Sequence, residues 1–195
     1  MTSSKNVVAG RPKPNGAIFR APLGTALPTS ESGTLDAGFI EQGYASEDGL
    51  SRAISKAYET IRAWGGDEVK RSRTEIGVEL TFTLIEAANG EVAKTIWGED
   101  AVTVTPATVS EGTKIAVAYA GDELPESEWV FDLKDGDHLR RIVVPRGQVA
   151  TEDFTQTFAD ADVIAYPVTL VCFRDDDGNF FYDYSTDGVP NPDAE

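Results

Sequence analysis

The side chains most capable of chemistry in this sequence are carboxylates, and the densest group is Asp175, Asp176 and Asp177 in FRDDDGNF. Calcium loops place acids at alternate positions and end on a glutamate, and this run does neither, so it favours a hairpin turn. Asp160 and Asp162 in FADADV have the spacing of an acid–base pair. Such a pair needs a pocket that separates the two pKa values, and nothing in the sequence indicates one.

The chain has one histidine and one cysteine. His138 lies beside the turn DLKDGDH and is interpreted as a hairpin residue, and Cys172 lies in the apolar run VIAYPVTLVCF and is interpreted as a buried thiol. These counts exclude His-rich and Cys-rich metal sites and any intrachain disulfide. We therefore expect no catalytic residue, no cofactor and no bound metal.

Charge is distributed unevenly along the chain. The 195 residues carry a net charge of −16, yet residues 1–30 contain Lys5, Arg11, Lys13 and Arg20 and no acid, so the remainder carries −20. A body this acidic repels nucleic-acid phosphates. The imbalance predicts that the basic arm of one copy, through Arg11, Lys13 and Arg20, contacts the acidic body of another; a solvated tail is the alternative. No apolar run reaches the ~20 residues of a membrane helix. Residues 1–16, MTSSKNVVAGRPKPNG, have no apolar core of the kind that a secretory signal contains.

The element that follows the arm has apolar residues but no period. In FRAPLGTALPTSESGTLDAGF, residues 19–39, prolines and glycines interrupt both helical and strand spacing. The sequence thus divides into an N-terminal arm and assembly segment over 1–45, a body over 46–185, and an acidic tail over 186–195.

The body is mostly β. Residues 74–86 alternate apolar and polar side chains, as expected of an antiparallel strand with one wet face. Asp-Gly pairs within 134–137 and 176–179 predict hairpin turns. Further strands are predicted at 101–105, 114–120, 128–134, 139–145, 147–156, 163–173 and 179–184.

Two further segments carry helical signals. Residues 89–97 predict a helix capped by Asn89, with Val92 and Ile96 on one face and Gly98 at its end. Residues 50–64 have the apolar spacing of an amphipathic helix, but a loop followed by a strand is also open.

Four stretches, in order, resemble the major tail protein of long-tailed, non-contractile phages of actinobacteria. They are GAIFRAPLGTALPT, LDAGFIEQGYASEDGL, AWGGDEVKRSRTE and LTFTLIEAANGEVAKTIWG, which together cover about residues 16–98. The remainder is similar more loosely, through YPVTLVCFRDDDGNFFYDYS. The resemblance favours the strand alternative at 50–64.

The resemblance implies a mostly β fold of two packed antiparallel sheets, a sandwich or flattened barrel, with one flanking α-helix and an extended N-terminal arm. It implies six copies per ring and rings stacked into a tail tube in the virion, through which DNA passes without specific binding. It also implies a tape-measure protein and tail-terminal proteins as partners, and no membrane.

The resemblance further implies that the arm and a long loop between strands make the contacts between copies. Ordering of residues 18–39 by neighbouring copies would place part of that segment in the interface: Phe19, Arg20, Pro22, Leu23, Leu27, Pro28 and Phe39. Trp64 is either an interface anchor or a core residue. Glu75 and Glu79 face either the bore or bulk water.

Two other functions are weighed against the tube. One is another ring-forming virion component, a tail terminator or head–tail connector, which would form rings without polymerising into tubes. The other is a β-sandwich module that binds carbohydrate or a receptor, for which the aromatic residues near Phe180 are the only support.

Overall fold

The computed structural model describes residues 6–14, 16–151 and 154–189. Eight antiparallel strands form one sheet in the order β2-β1-β7-β8-β9-β4-β3, with β10 paired to β8, and β5 and β6 form a second sheet. The elements are β1 Ile18–Pro22, β2 Ile40–Glu41, β3 Ser51–Arg62, β4 Glu68–Leu84, α1 Gly90–Trp97, β5 Val102–Thr105, β6 Lys114–Val117, β7 Ser127–Asp135, β8 His138–Ala150, β9 Tyr166–Cys172 and β10 Tyr182–Thr186. The predicted fold class is confirmed: mostly β, two antiparallel sheets and one helix.

The main core lies on one face of the large sheet. The alternation predicted over 74–86 is confirmed, because Val78, Leu80, Phe82 and Leu84 of β4 are buried while Glu79 between them is exposed. Trp129 and Phe131 of β7 join this core, and both rings contact Phe82 edge to face.

Helix α1 covers this core. Asn89 caps it as predicted, with its side-chain oxygen accepting a hydrogen bond from the backbone N–H of Glu91 at 3.0 Å, and Gly98 ends it. Val92 and Ile96 are buried in the same cluster as the β4 side chains. The helix therefore packs on this core, and the small β5–β6 sheet lies beside the helix.

The segment at residues 23–39 covers part of the opposite face of the sheet, over β7 and β8. Leu27, Leu35 and Phe39 pack with Val130 and Val143 in a second apolar cluster. The chain itself thus orders much of this segment, and the expectation that it has no regular structure is wrong at Ile18–Pro22, where β1 pairs with β7. The segment crosses the face of the sheet as an irregular chain, which explains why its apolar residues follow neither the helical nor the strand period.

A buried ion pair fixes that path. Arg141 is 1% exposed and donates to both carboxylate oxygens of Asp132, at 2.6 and 2.7 Å. Its third nitrogen donates to the backbone carbonyls of Ser30 and Gly33. These bonds tie the loop to the sheet where no apolar side chain does so.

Strands β7 and β8 form the hairpin predicted at 134–137, with Asp135 opposite His138 and Gly136 at φ 63° in the two-residue turn. The two strands predicted at 139–145 and 147–156 are instead one strand, β8. Pro145 falls at a register shift, because Trp129 pairs with Val144 and Ser127 with Gly147. A bulge accommodates a proline that lacks the ladder N–H.

The second predicted hairpin, at 176–179, is wrong. A tight turn is present there, since the backbone N–H of Gly178 donates to the carbonyl of Asp175, but β10 pairs with β8 rather than with β9. Residues 152 and 153 of the predicted strand 147–156, residues 1–5 of the arm and residues 190–195 of the tail lie outside the described residues.

Candidate assembly surface

The most prominent surface feature is a two-stranded ribbon. Strand β9 pairs with β4 only from Val78 to Leu84, whereas β3 and β4 continue as partners out to Arg62 and Glu68. We call residues 55–77 the projecting ribbon; at about 3.3 Å per residue it extends roughly 30 Å beyond the sheet. The alternative left open at 50–64 is thus resolved as a strand.

The tip of the projecting ribbon presents one aromatic side chain. Trp64 is 106% exposed, so the core interpretation of this residue is wrong. Gly65 and Gly66 follow at φ 118° and 97°, values that L side chains rarely adopt, and they close the turn with the backbone N–H of Gly66 donating to Ala63. The indole therefore stands out from a narrow turn.

No residue of the projecting ribbon is buried, although several of its side chains are apolar. Tyr58, Ile61 and Val69 are exposed here, and Ile54 is exposed at its base. An isolated two-stranded hairpin is only marginally stable in water. Ile54, Tyr58 and Ile61 belong to the apolar spacing that also suggested a helix over 50–64, and in the structure they form an exposed apolar surface with Val69.

The projecting ribbon is also cationic compared with the rest of the chain. Over residues 55–77 it has five lysines and arginines and four acids, a net charge of +1, on a protein of net charge −16. Arg62 pairs with Glu68 across the strands at 2.7 Å, and Arg71 stacks over the ring of Tyr58 at 4.1 Å.

Strand β3 also leaves an edge. Within the described residues it pairs with β4 on one side and is the last strand of the sheet on the other. A twelve-residue edge strand presents backbone N–H and C=O groups that can pair with another chain.

Glu75 and Glu79 lie on the face of the sheet opposite the main core. Both are exposed and share this face because they are four residues apart in a regular strand. Their partners across the ladders are small or uncharged: Ala57 and Ala53 on β3, and Val171 on β9. Whether this face lines a bore stays a prediction.

The cations of the arm contact their own chain. The Nζ of Lys13 lies 3.1 Å from Asp132, and a guanidinium nitrogen of Arg11 lies 3.9 Å from Asp135. Arg20 donates to the hydroxyls of Ser127 and Thr95, and burial lowers its pKa. An additional contact of these side chains with another copy stays a prediction.

The predicted apolar interface residues are not brought into one patch. Phe19, Leu27 and Phe39 pack in the second apolar cluster, and Pro28 is half-buried. Pro22 and Leu23 are exposed at the end of β1, and Trp64 lies apart from both groups on the projecting ribbon.

Cys172 and Asp175, two of the residues considered for chemistry, are occupied in packing and in a turn. Cys172 is buried as predicted, and burial raises the pKa of its thiol to about 12. Asp175 accepts hydrogen bonds from the backbone of Asn179 and the hydroxyl of Tyr182 inside its turn. Across the described ranges no group of three His, Cys, Asp or Glu side chains is placed to hold a metal ion, and no helix is long and apolar enough to span a membrane.

An antiparallel β protein with an open strand edge and an exposed, partly apolar ribbon has the features of a self-associating structural protein. The family model described as phage tail tube protein matches residues 1–194, and the chain therefore belongs to the phage tail tube protein family. That family consists of structural proteins rather than enzymes.

A solved structure, a cryo-EM sheath–tube complex of an extracellular contractile injection system in its extended state, includes a chain that is similar at 12% identity. The match covers 95% of this chain and 100% of that one, with a TM-score of 0.46. No curated protein matches the chain.

Proposed function

We propose that identical copies of this chain form six-membered rings that stack into the tail tube of a phage, and that DNA passes through the bore. The observation that carries the proposal is the projecting ribbon, on a chain that belongs to the tail tube family. The motif order over residues 16–98 supports a tube of the long-tailed, non-contractile type found in phages of actinobacteria.

Ring formation is supported by the asymmetry of the surface. The ribbon of one copy cannot meet the same ribbon of every neighbour in a ring, so it meets a different surface, and such heterologous contacts generate rings and stacks. The edge of β3 supplies backbone groups for sheet pairing between copies, which removes an aggregation-prone edge.

Passage of DNA is supported by the charge of the face that carries Glu75 and Glu79. If this face lines the bore, six copies place twelve carboxylates per ring around the channel. Phosphates are repelled by such a wall, so DNA slides without being held. The protein then acts in the virion, with a tape-measure protein inside the tube and terminal proteins at its ends as partners.

Negative-stain electron microscopy of the purified full chain tests the proposal. Tubes of uniform width with an axial hole are expected, and their cross-section gives the number of copies per ring. Single rings that do not stack would indicate a terminator or connector instead, and a protein that stays monomeric at high concentration would contradict the proposal.

A further inference from the structure

A large cavity lies between the arm and the body. It has a volume of about 720 Å³, and its floor is apolar, formed by Ile18, Leu50, Phe131 and Leu133. Cavities of this volume enclose drug-sized molecules, which are larger than an indole. A tryptophan side chain therefore fits inside it. We call it the arm cavity.

Hydrogen bonds from backbone N–H groups hold both walls of the arm cavity. On one side the N–H of Lys13 donates to the carbonyl of Asp132, and the N–H of Lys134 donates to Arg11, so the arm runs alongside β7. On the other side the N–H of Tyr44 donates to the carboxylate of Glu86 at 2.9 Å. The cavity is thus formed before any partner arrives.

The rim of the arm cavity is acidic. Glu41, Glu47 and Glu86 line it, and Lys13, the one cation among the described lining residues, is already paired with Asp132. An occupant with an apolar end and positive charge behind that end fits both the floor and the rim.

The tip of the projecting ribbon has this composition. Trp64 is fully exposed at the end of a turn that Gly65 and Gly66 close. Arg62, behind the tip, is paired with Glu68 at 2.7 Å. Lys70 and Arg71 against Asp67 then leave residues 62–71 with a net charge of +1. Tryptophan and arginine are the residues that most often dominate interface energetics, typically by filling a pocket.

We propose that Trp64 of one copy inserts into the arm cavity of a second copy, and that the cations behind the tip face the acidic rim. This inference rests on the proposed tube, because it assigns one contact between its copies. It also gives the arm a role between copies without releasing Arg11 or Lys13, since the arm forms a wall of the receiving site.

Disulfide crosslinking in assembled tubes tests the contact. Asp67→Cys places a thiol beside the tip while keeping Trp64, and Glu47→Cys places one on the cavity rim. The native Cys172 is buried with its pKa raised to about 12, so it does not compete. The matched control combines Asp67→Cys with Val109→Cys, on an exposed loop away from the cavity.

After mild oxidation, the first double variant is expected to give a ladder of covalent oligomers on a non-reducing gel, and the control to give monomer. Tubes that form without a ladder, or ladders of equal strength in both variants, would overturn the inference and leave the tube itself standing. Absence of tubes from the wild-type chain would instead contradict the proposed function.

Charge reversal gives a second test that needs no oxidation. Glu47→Lys and Lys70→Glu are each expected to raise the critical concentration for assembly about threefold or more, and the two together to restore it. Glu47→Lys with Lys114→Glu, a reversal on the small sheet, serves as the control and is not expected to restore it. Strictly additive effects of Glu47→Lys and Lys70→Glu would overturn the inference.

Discussion

At the scale of the residue, a substitution of Trp64 should affect assembly without affecting folding. Its side chain contacts almost nothing in the monomer, so Trp64→Ala is expected to leave the melting temperature of dilute protein unchanged. As an interface anchor it would contribute about 2 kcal/mol or more, so the critical concentration for tube assembly should rise about 30-fold or more. Light scattering across a dilution series measures this. Val109→Ala, an equally exposed control, should assemble normally; a matching loss in both variants would contradict the assignment.

For the buried pair of Arg141 and Asp132 we expect the reverse of Trp64: a substitution there should lower the stability of the folded monomer. Arg141→Met leaves the Asp132 carboxylate buried with only Lys13 beside it, and releases the loop at residues 30–33. Removing one partner of a buried pair costs about 3–5 kcal/mol. Urea unfolding of dilute protein should show a loss of that size.

The adjacent residue provides the control for that experiment. Arg140 pairs with Asp183, but its side chain is half exposed, and Arg52 remains beside the same carboxylate. Arg140→Met should therefore cost about 1 kcal/mol or less. Equal losses in the two variants would show that burial of the pair is not what stabilises the loop.

Glu128 predicts a specific pH dependence. One oxygen accepts from the backbone N–H of Gly24 at 2.8 Å and the other is buried with no hydrogen-bond partner, and burial raises the pKa of this carboxyl. A raised pKa in the folded state means that Glu128 contributes stability below its ordinary value of about 4.5, which is lost as pH rises through the folded pKa.

Glu128→Gln stays neutral at every pH, so it tests that linkage. The free energy of unfolding of this variant, relative to wild type, should increase between pH 4 and pH 7. Denaturant titrations at several pH values measure the difference, and parallel curves would contradict the prediction.

At the scale of the element, the projecting ribbon can be removed without disturbing the core. Ser55 and Gly77 are opposite each other in the ladder, so an Asn-Gly turn can replace residues 56–76. No buried side chain is lost, and we expect a cooperatively folding monomer that forms no tubes. Circular dichroism and electron microscopy measure the two properties, and tubes formed by this shortened chain would contradict the ribbon's role.

Elements with one buried face were predictable from the sequence, and elements without one were not. Residues 74–86 show their period because Val78 to Leu84 face the core. Strand β3 is exposed on both faces, so its apolar residues do not pack into a core. Their helical spacing therefore does not reflect a buried face. The single strand β8 was missed because Pro145 normally ends a strand, and only its pairing with β7 shows the bulge that accommodates it.

The candidate site was predictable only in part, for a related reason. Trp64 was named as a possible interface anchor because aromatic residues often dominate interfaces, but only its exposure in the structure separates that interpretation from a core residue. The arm cavity could not be predicted from the sequence, because its floor combines Ile18, Leu50 and Phe131 from three separated parts of the chain. Local spacing carries no information about such long-range proximity.

At the scale of the whole molecule, the net charge of −16 sets how copies respond to salt. Like-charged copies repel, and the screening length falls from about 30 Å at 0.01 M to about 8 Å at physiological ionic strength. Long-range repulsion is screened before short contacts are, so added salt is expected to lower the critical concentration for assembly. Scattering measured from low to moderate NaCl tests this, with an osmotically matched sugar as control.

The effect of Arg11→Gln on that salt dependence tests whether the basic arm bridges copies. Arg11 is the least constrained of its cations, with most of its side chain exposed and its nearest carboxylate 3.9 Å away. If Arg11 contacts only its own chain, Arg11→Gln should leave the salt dependence of assembly unchanged. If it binds a neighbour, salt screens that attraction along with the net repulsion, so Arg11→Gln should make assembly improve more steeply with salt than it does in the wild type. The intrachain contacts of Arg11, Lys13 and Arg20 favour the first result, because each cation is already partnered before two copies meet.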